Sequence, residues 1–171
     1  VISVFVIFIL SFISHFMYDI LPNSIFSIIF PVNESIWEHM KLIATPVLIF
    51  SIFEYIIYRK KNIEHNNFIL SYAIAMIVGI IVYLMIYLPI NKIFGHSMIV
   101  AIILLFVTFF IIQIISYYIM HYKDIKYSNI IGIFLIVFIY SLFGYLTYNP
   151  IENDLFYDTQ KKIYGIPKEK K

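Results

Sequence analysis

Cysteine is absent from the 171-residue sequence, and both glycine and charged residues are scarce. Without cysteine the chain has no disulfide, no thiolate metal site and no cysteine nucleophile. Its five glycines form no P-loop, dinucleotide-binding or G-x-S-x-G motif, so common signatures of soluble enzymes are missing. Only 13% of the residues are charged, and five of the twelve basic ones lie within positions 161–171. Nucleic-acid binding therefore has no support.

What the chain has in abundance is apolar sequence. Hydrophobic residues make up 62% of it, and its mean hydropathy is +0.91. A membrane-spanning helix needs about 20 apolar residues, because it rises about 1.5 Å per residue through a hydrocarbon core about 30 Å thick. Five runs meet this requirement. The sequence therefore predicts an all-α, polytopic helix bundle in the lipid bilayer of the cell membrane.

The predicted spans cover about residues 1–18, 41–58, 68–88, 97–118 and 128–147. The first lacks the basic start and the small-residue cleavage site of a signal peptide, so we expect it to be retained. The second is expected to begin earlier, near Asn33 or Ser35, and the third to end at Pro89. Between the first two spans, residues 22–30 are apolar but too short to cross a membrane, so we expect a short interfacial segment there.

The short loops predict the orientation of the chain, because basic residues favour the cytoplasmic side. The loops after the second and fourth spans carry Arg59, Lys60, Lys61, Lys123 and Lys126. The loops on the other side carry only Lys41 and Lys92. This pattern predicts an N-in, C-out topology. Residues 1–148 would form the bundle, and residues 149–171 a C-terminal tail whose first half packs at the outer interface.

One polar stretch interrupts the apolar sequence at residues 31–42, which read PVNESIWEHMKL. Ser35 followed by Glu38 is a capping box, which predicts the start of a helix. Residues three or four apart in a helix share a face. The residues that follow this spacing are Glu34, Glu38, Lys41 and Thr45. We therefore expect a polar stripe on one side of the second span, and such groups are costly near lipid unless they are paired or functional.

A second polar group lies at the end of the first span. His15 and Asp19 are four residues apart, so they share a helix face and are expected to pair. In an N-in topology this end lies level with the start of the second span, on the same side as His96 in the third loop. We therefore expect one extracytoplasmic polar cluster. Its members are His15, Asp19, Glu34, Glu38, His39 and Lys41.

Three interpretations of this cluster stay open. The first is a pocket for an ion or a small polar ligand in a membrane accessory protein. The second is a divalent metal site, since imidazole and carboxylate groups suit zinc, manganese or iron. The candidate metal ligands are His15, Glu34, Glu38, His39 and His96. The third is a structural role, in which a Glu38–Lys41 ion pair fixes how the helices pack.

An enzyme is a further alternative, built on the metal site. In that version the protein is a metal-dependent membrane hydrolase acting on a lipid or headgroup, and Glu34 or Glu38 is the general base toward a metal-bound water. The spacing does not single out this chemistry, because the sequence has no HExxH motif. The sequence leaves open whether the protein is an enzyme, what it binds and which proteins it contacts.

Three segments together carry a family resemblance. They are HFMYD at 15–19, PVNESIWEHMKL at 31–42 and LFYDTQKKIYGI at 155–166. In their order along the chain they resemble the DUF6512 family of uncharacterised small bacterial membrane proteins. The resemblance implies a helical membrane protein with no assigned activity.

The tail shows both agreement with that family and departure from it. The residues that match are Leu155, Phe156, Tyr157, Asp158, Tyr164 and Gly165. Where the family carries a Pro-Pro pair, this chain reads Asn149, Pro150 and Ile151, and where the family has an Asp-Pro turn it reads Asp158 and Thr159. The matching residues imply that the tail folds back onto the outer mouth of the bundle.

Overall fold

The computed structural model describes residues 2–167. Its helices are α1 (Ile2–Ile20), α2 (Ser24–Ile29), α3 (Ile36–His39), α4 (Lys41–Lys61), α5 (Phe68–Phe94), α6 (Met98–Met120) and α7 (Ser128–Tyr148). Two short strands, β1 (Tyr157–Asp158) and β2 (Ile163–Tyr164), form an antiparallel pair after the last helix.

Five helical segments are long and apolar enough to cross a membrane, which confirms the predicted all-α architecture with five spans. Four of them are α1, α5, α6 and α7, and the fifth runs from Ile36 to Lys61 through α3 and α4. The predicted end of the third span at Pro89 is wrong, because α5 continues through this proline to Phe94. A proline removes one backbone hydrogen bond, and membrane helices tolerate that loss. The N-in, C-out orientation stays a prediction.

The bundle is organised around α5, which packs on α4, α6 and α7, while α1 packs on α4 and α6. A Cβ atom on Gly132 of α7 would lie 2.5 Å from the backbone nitrogen of Leu70, so glycine allows α7 to cross α5 closely. Between α4 and α5, the Tyr72 hydroxyl donates a hydrogen bond to the Glu54 carboxylate. Apolar packing and a buried polar contact thus both hold the central helix.

The segment between α1 and α3 contains the short helix α2. The Asn23 side chain caps it by accepting hydrogen bonds from the backbone nitrogens of Ile25 and Phe26, both at 3.0 Å. Toward α7, the Ser27 hydroxyl of α2 lies 3.0 Å from the Tyr148 hydroxyl. With six residues, α2 is too short to cross a membrane, as predicted.

After α7 the chain returns across the start of the second span. The backbone nitrogen of Trp37 donates to the Leu155 carbonyl at 2.9 Å, and the Asn33 side chain donates to the Gly165 carbonyl at 2.7 Å. Gly165 has a φ of +64°, and a Cβ atom there would lie 2.8 Å from the Thr147 carbonyl oxygen. The tail therefore contacts the end of the bundle that carries residues 31–42. The division into a bundle and a separate tail stays a prediction.

Candidate metal centre

The local backbone decides which side chains of residues 31–39 belong to a helix. Ser35 has an extended backbone, with φ −72° and ψ 154°, and its hydroxyl accepts a hydrogen bond from the Glu38 nitrogen at 3.3 Å. This cap starts α3 at Ile36. Glu34 therefore precedes the helix and does not follow its periodicity, whereas Glu38 and His39 lie within it.

Glu34 lies between two histidines that come from different helices. Its Oε2 atom is 3.6 Å from His15 Nε2 in α1 and 3.3 Å from His39 Nε2 in α3. One ligand atom from each of the three side chains can be chosen so that all lie within 4.8 Å of one another. Each side chain is slightly more than a quarter exposed. We call these three residues the His15–Glu34–His39 triad.

The charge of Glu34 is stabilised by its neighbours. The contact with His15 and then the contact with His39 hold the pKa of this carboxyl well below its usual range, against the opposing effect of partial burial. A second contact fixes its backbone, because the Glu34 nitrogen donates to Asp158 Oδ2 at 2.9 Å. The carboxylate is therefore ionised at neutral pH and held by contacts with α1, α3 and the tail.

The donor set fits a divalent first-row metal ion. Donor atoms around a tetrahedral ion with bonds of about 2.0–2.2 Å lie roughly 3.3–3.6 Å apart. The two distances from Glu34 to the histidines, 3.6 and 3.3 Å, have this size. His15 Nδ1 is buried and has no hydrogen-bond partner among the described residues. The other ring nitrogen of His15, Nε2, is the one that faces Glu34.

Glu38 belongs to a different cluster, which we call the Glu38–Lys41–Thr147 cluster. Lys41 Nζ donates to Glu38 Oε2 at 2.6 Å, to Thr147 Oγ1 at 2.7 Å and to the Ser27 carbonyl at 2.7 Å. Thr147 Oγ1 in turn donates to Glu38 Oε1 at 2.7 Å. Lys41 is 0% exposed and Glu38 is 2% exposed. Because the three ammonium protons all have acceptors, this cluster is closed to a ligand.

The predicted Glu38–Lys41 ion pair is confirmed. The predicted polar stripe is correct for Glu38, Lys41 and Thr45, whose side chains all contact α7, but not for Glu34. Glu34 faces the two histidines. The capping box forms only by half. Ser35 caps Glu38 as predicted, but the Glu38 carboxylate accepts from the Val32 nitrogen, at 3.0 Å, instead of from Ser35.

Two other candidate residues are not part of the triad. The predicted His15–Asp19 pair does not form, because His15 contacts Glu34 instead. Asp19 is exposed at the end of α1 and lines a cleft together with His15 and Glu34. His96 is outside the triad, because its Nδ1 atom lies 2.8 Å from the Tyr87 hydroxyl at the end of α5. Its position on the loop after α5 ties it to that helix.

Sequence reasoning missed the contribution of the tail to this site. Asp158 is 0% exposed, and its Oδ1 atom accepts hydrogen bonds from the backbone nitrogens of Gln160 and Lys161, both at 2.8 Å. The other oxygen holds Glu34. The family-like FYD element predicted a tail near the mouth, but no spacing rule links residues 124 positions apart.

The comparisons with known proteins identify the family of the chain. The family model DUF6512, a family of unknown function, matches residues 1–166, so the chain belongs to the DUF6512 family. This confirms the resemblance seen in the three sequence segments. No curated protein and no solved structure matches the chain. Because family membership brings no activity with it, a function has to be argued from the site.

Proposed function

We propose that this protein is an integral membrane protein that binds a divalent first-row metal ion through His15, Glu34 and His39. The observation that carries the proposal is the convergence of two imidazoles and one carboxylate within 4.8 Å. They come from α1, from the loop before α3 and from α3 itself. Imidazole and carboxylate ligands suit zinc, manganese or iron, and two histidines with one carboxylate serve both zinc and non-haem iron sites.

Of the five metal ligands predicted from the sequence, His15, Glu34 and His39 belong to the proposed site. Glu38 is excluded because Lys41 and Thr147 occupy its oxygens, and His96 because it contacts Tyr87. Three protein ligands leave at least one coordination position for water or another ligand. The triad therefore supports a site that binds an ion together with a small polar ligand.

A metal-dependent membrane hydrolase is the second candidate function. A cleft beside the triad favours it, because a substrate group can enter there. In this version Glu34 is a metal ligand and Glu38 is held by Lys41, so neither is free to act as the general base. Asp19 is the other carboxylate that lines the cleft. If the protein hydrolyses a lipid or headgroup, Asp19 therefore takes the role of the base.

A purely structural role predicts different behaviour from the same contacts. Glu34 would then act as an ionic link between α1 and the segment at residues 31–39, and added metal would change nothing. Under the metal proposal, zinc stabilises the folded protein, and the stabilisation grows with the logarithm of the zinc concentration above the dissociation constant. Thermal unfolding with and without metal distinguishes the two.

The test is metal binding by the purified full chain in maltoside micelles. We expect close to one zinc, manganese or iron per chain by elemental analysis, and at least tenfold weaker zinc binding in His39→Ala and Glu34→Gln. His121→Ala is the matched control, since this exposed loop histidine contacts Tyr117 and lies outside the triad. The proposal is overturned if the wild-type protein contains no metal and its melting temperature does not change when any of the three metals is added.

A further inference from the structure

The triad borders a shallow cleft that is open to solvent. His15, Asp19, residues 31–34 and Lys161 line it. The enclosed part has room for about one water-sized group. One oxygen atom of a ligand can therefore enter beside the triad, while the remainder of the ligand stays outside the cleft.

Among the residues that line this cleft, Lys161 is the only lysine or arginine. It lies in the turn between β1 and β2, and its backbone nitrogen donates to Asp158 Oδ1 at 2.8 Å. The other oxygen of the same buried carboxylate accepts from the Glu34 nitrogen at 2.9 Å. One carboxylate thus fixes Lys161 and Glu34 relative to each other.

Among residues 2–167, Lys161 takes part in no ion pair, in contrast to Lys41, which is paired with Glu38. A lysine ammonium group binds phosphate oxygens as a point charge, and a bound metal ion adds further positive charge beside it. The positive charge of Lys161 beside the triad therefore favours an anionic ligand.

The surroundings of the cleft place it near the lipid headgroups. Large apolar side chains next to it are exposed, among them Phe16 and Ile20 at the end of α1 and Ile25 in α2. In a membrane such side chains contact lipid, and the end of a spanning helix lies at the level of the headgroups. Phosphate groups are the most abundant oxyanions at that level.

From these positions we infer that the site binds a phosphate group, with one oxygen entering the cleft toward the metal and another accepting a hydrogen bond from Lys161. The inference rests on the proposed metal-binding function. The phosphate belongs either to a lipid headgroup with a terminal phosphate or to free inorganic phosphate. Lys161 acts as the residue that selects an anionic ligand.

The experiment uses the full chain loaded with Co²⁺ in maltoside micelles, which contain no phosphate. The visible absorption of Co²⁺ reports whether metal is bound and whether its coordination changes. Inorganic phosphate is titrated in one arm and phosphatidate in the other. The variants are Lys161→Gln and, as the matched control, Lys162→Gln, because Lys162 is exposed in the same turn and does not line the cleft.

We expect phosphate or phosphatidate to change the Co²⁺ spectrum of the wild type and of Lys162→Gln. In Lys161→Gln the dissociation constant for the same probe should rise about tenfold or more, while the affinity for Co²⁺ stays the same. A response to phosphatidate alone identifies the lipid headgroup as the ligand. A response to inorganic phosphate identifies the free anion.

The negative outcomes separate the two proposals. If Co²⁺ binds but neither probe changes its spectrum, the phosphate inference is overturned and the metal site stands. Equal weakening in Lys161→Gln and Lys162→Gln also overturns it, because the effect is then one of general charge. If Co²⁺ does not bind to the triad, the proposed function fails, and the inference fails with it.

Discussion

Glu34 and Glu38 are four residues apart in the same short segment, yet they lie in opposite environments. Glu38 is 2% exposed and ion-paired with Lys41, and Thr147 donates to its second oxygen. The Glu34 side chain is 29% exposed, contacts two histidines and borders an open cleft. A carboxylate whose oxygens are all used inside the protein serves the fold. One that faces titratable ligands and solvent is available for binding.

The largest effect on stability is expected from removing the cation of the buried Glu38–Lys41 pair. Lys41→Met leaves the Glu38 carboxylate buried without its partner, so we expect a loss of about 3–5 kcal/mol in the free energy of unfolding. The measurement is thermal or denaturant unfolding in micelles. Lys92→Met is the control, since Lys92 is an exposed lysine of α5. Equal stability of the two variants contradicts the structural role of this pair.

A double substitution sharpens this result. In Glu38→Leu with Lys41→Met no buried charge is left, so stability should recover relative to Lys41→Met alone. The Thr147 hydroxyl then loses its acceptor, which limits the recovery. No recovery at all would indicate that the contact of Lys41 with the Ser27 carbonyl of α2 matters more than its charge.

The second prediction concerns Asp158, which joins the tail to Glu34. The Asp158 carboxylate accepts hydrogen bonds from the backbone nitrogens of Glu34, Gln160 and Lys161. In Asp158→Asn one oxygen becomes an amide group, which is a donor and faces a backbone donor. We therefore expect a loss of about 1–3 kcal/mol in the free energy of unfolding. Hydrogen exchange at residues 155–166 should become faster. Asp154→Asn, a change at an exposed carboxylate of the same tail, should leave exchange unchanged. Unaltered exchange in Asp158→Asn contradicts its role in holding the tail.

The third prediction is that Glu34, unlike Glu38, contributes to zinc binding and little to stability. Glu34→Gln should weaken zinc binding at least tenfold and cost less than about 1 kcal/mol in stability, because its side chain is partly exposed. Both quantities are measured on the same preparations by calorimetric titration and thermal unfolding. A large loss of stability with unchanged zinc affinity would make Glu34 a structural residue like Glu38.

Much of the fold follows from the sequence, because the length and polarity of an apolar run decide whether a helix can span a membrane. The five spans are identified in this way. The end of α5 is not, since Pro89 is a reliable helix terminator in water but not where neighbouring helices and lipid surround it. Backbone rules learned from soluble helices therefore fail first near the ends of spans.

The site is predictable in part, for a related reason. Placing the end of α1 level with the segment at residues 31–39 brings His15 and Glu34 together, and their closest atoms lie 3.6 Å apart. The separation of Glu34 from Glu38 is not predictable from helical spacing, because Glu34 precedes the Ser35 cap and lies outside the helix. Asp158 is missed because its contact with Glu34 depends on how the tail folds back, which local periodicity does not encode.

The smallest expected effect is the pH dependence that Glu34 contributes. The contacts with His15 and His39 lower the pKa of the Glu34 carboxyl in the folded protein below its ordinary value of 4.5. The ionised carboxylate therefore stabilises the folded protein fully above pH 4.5. That effect is lost as the pH falls through the lowered pKa, where the folded protein also takes up the proton. The difference in melting temperature between the wild type and Glu34→Gln should therefore shrink as the pH is lowered from 5 toward 2, by the equivalent of at most about 1 kcal/mol. The two proteins are compared without metal, so that protonation of metal ligands does not enter. A difference that grows in acid would reverse the sign and show that the triad stabilises the protonated carboxyl instead.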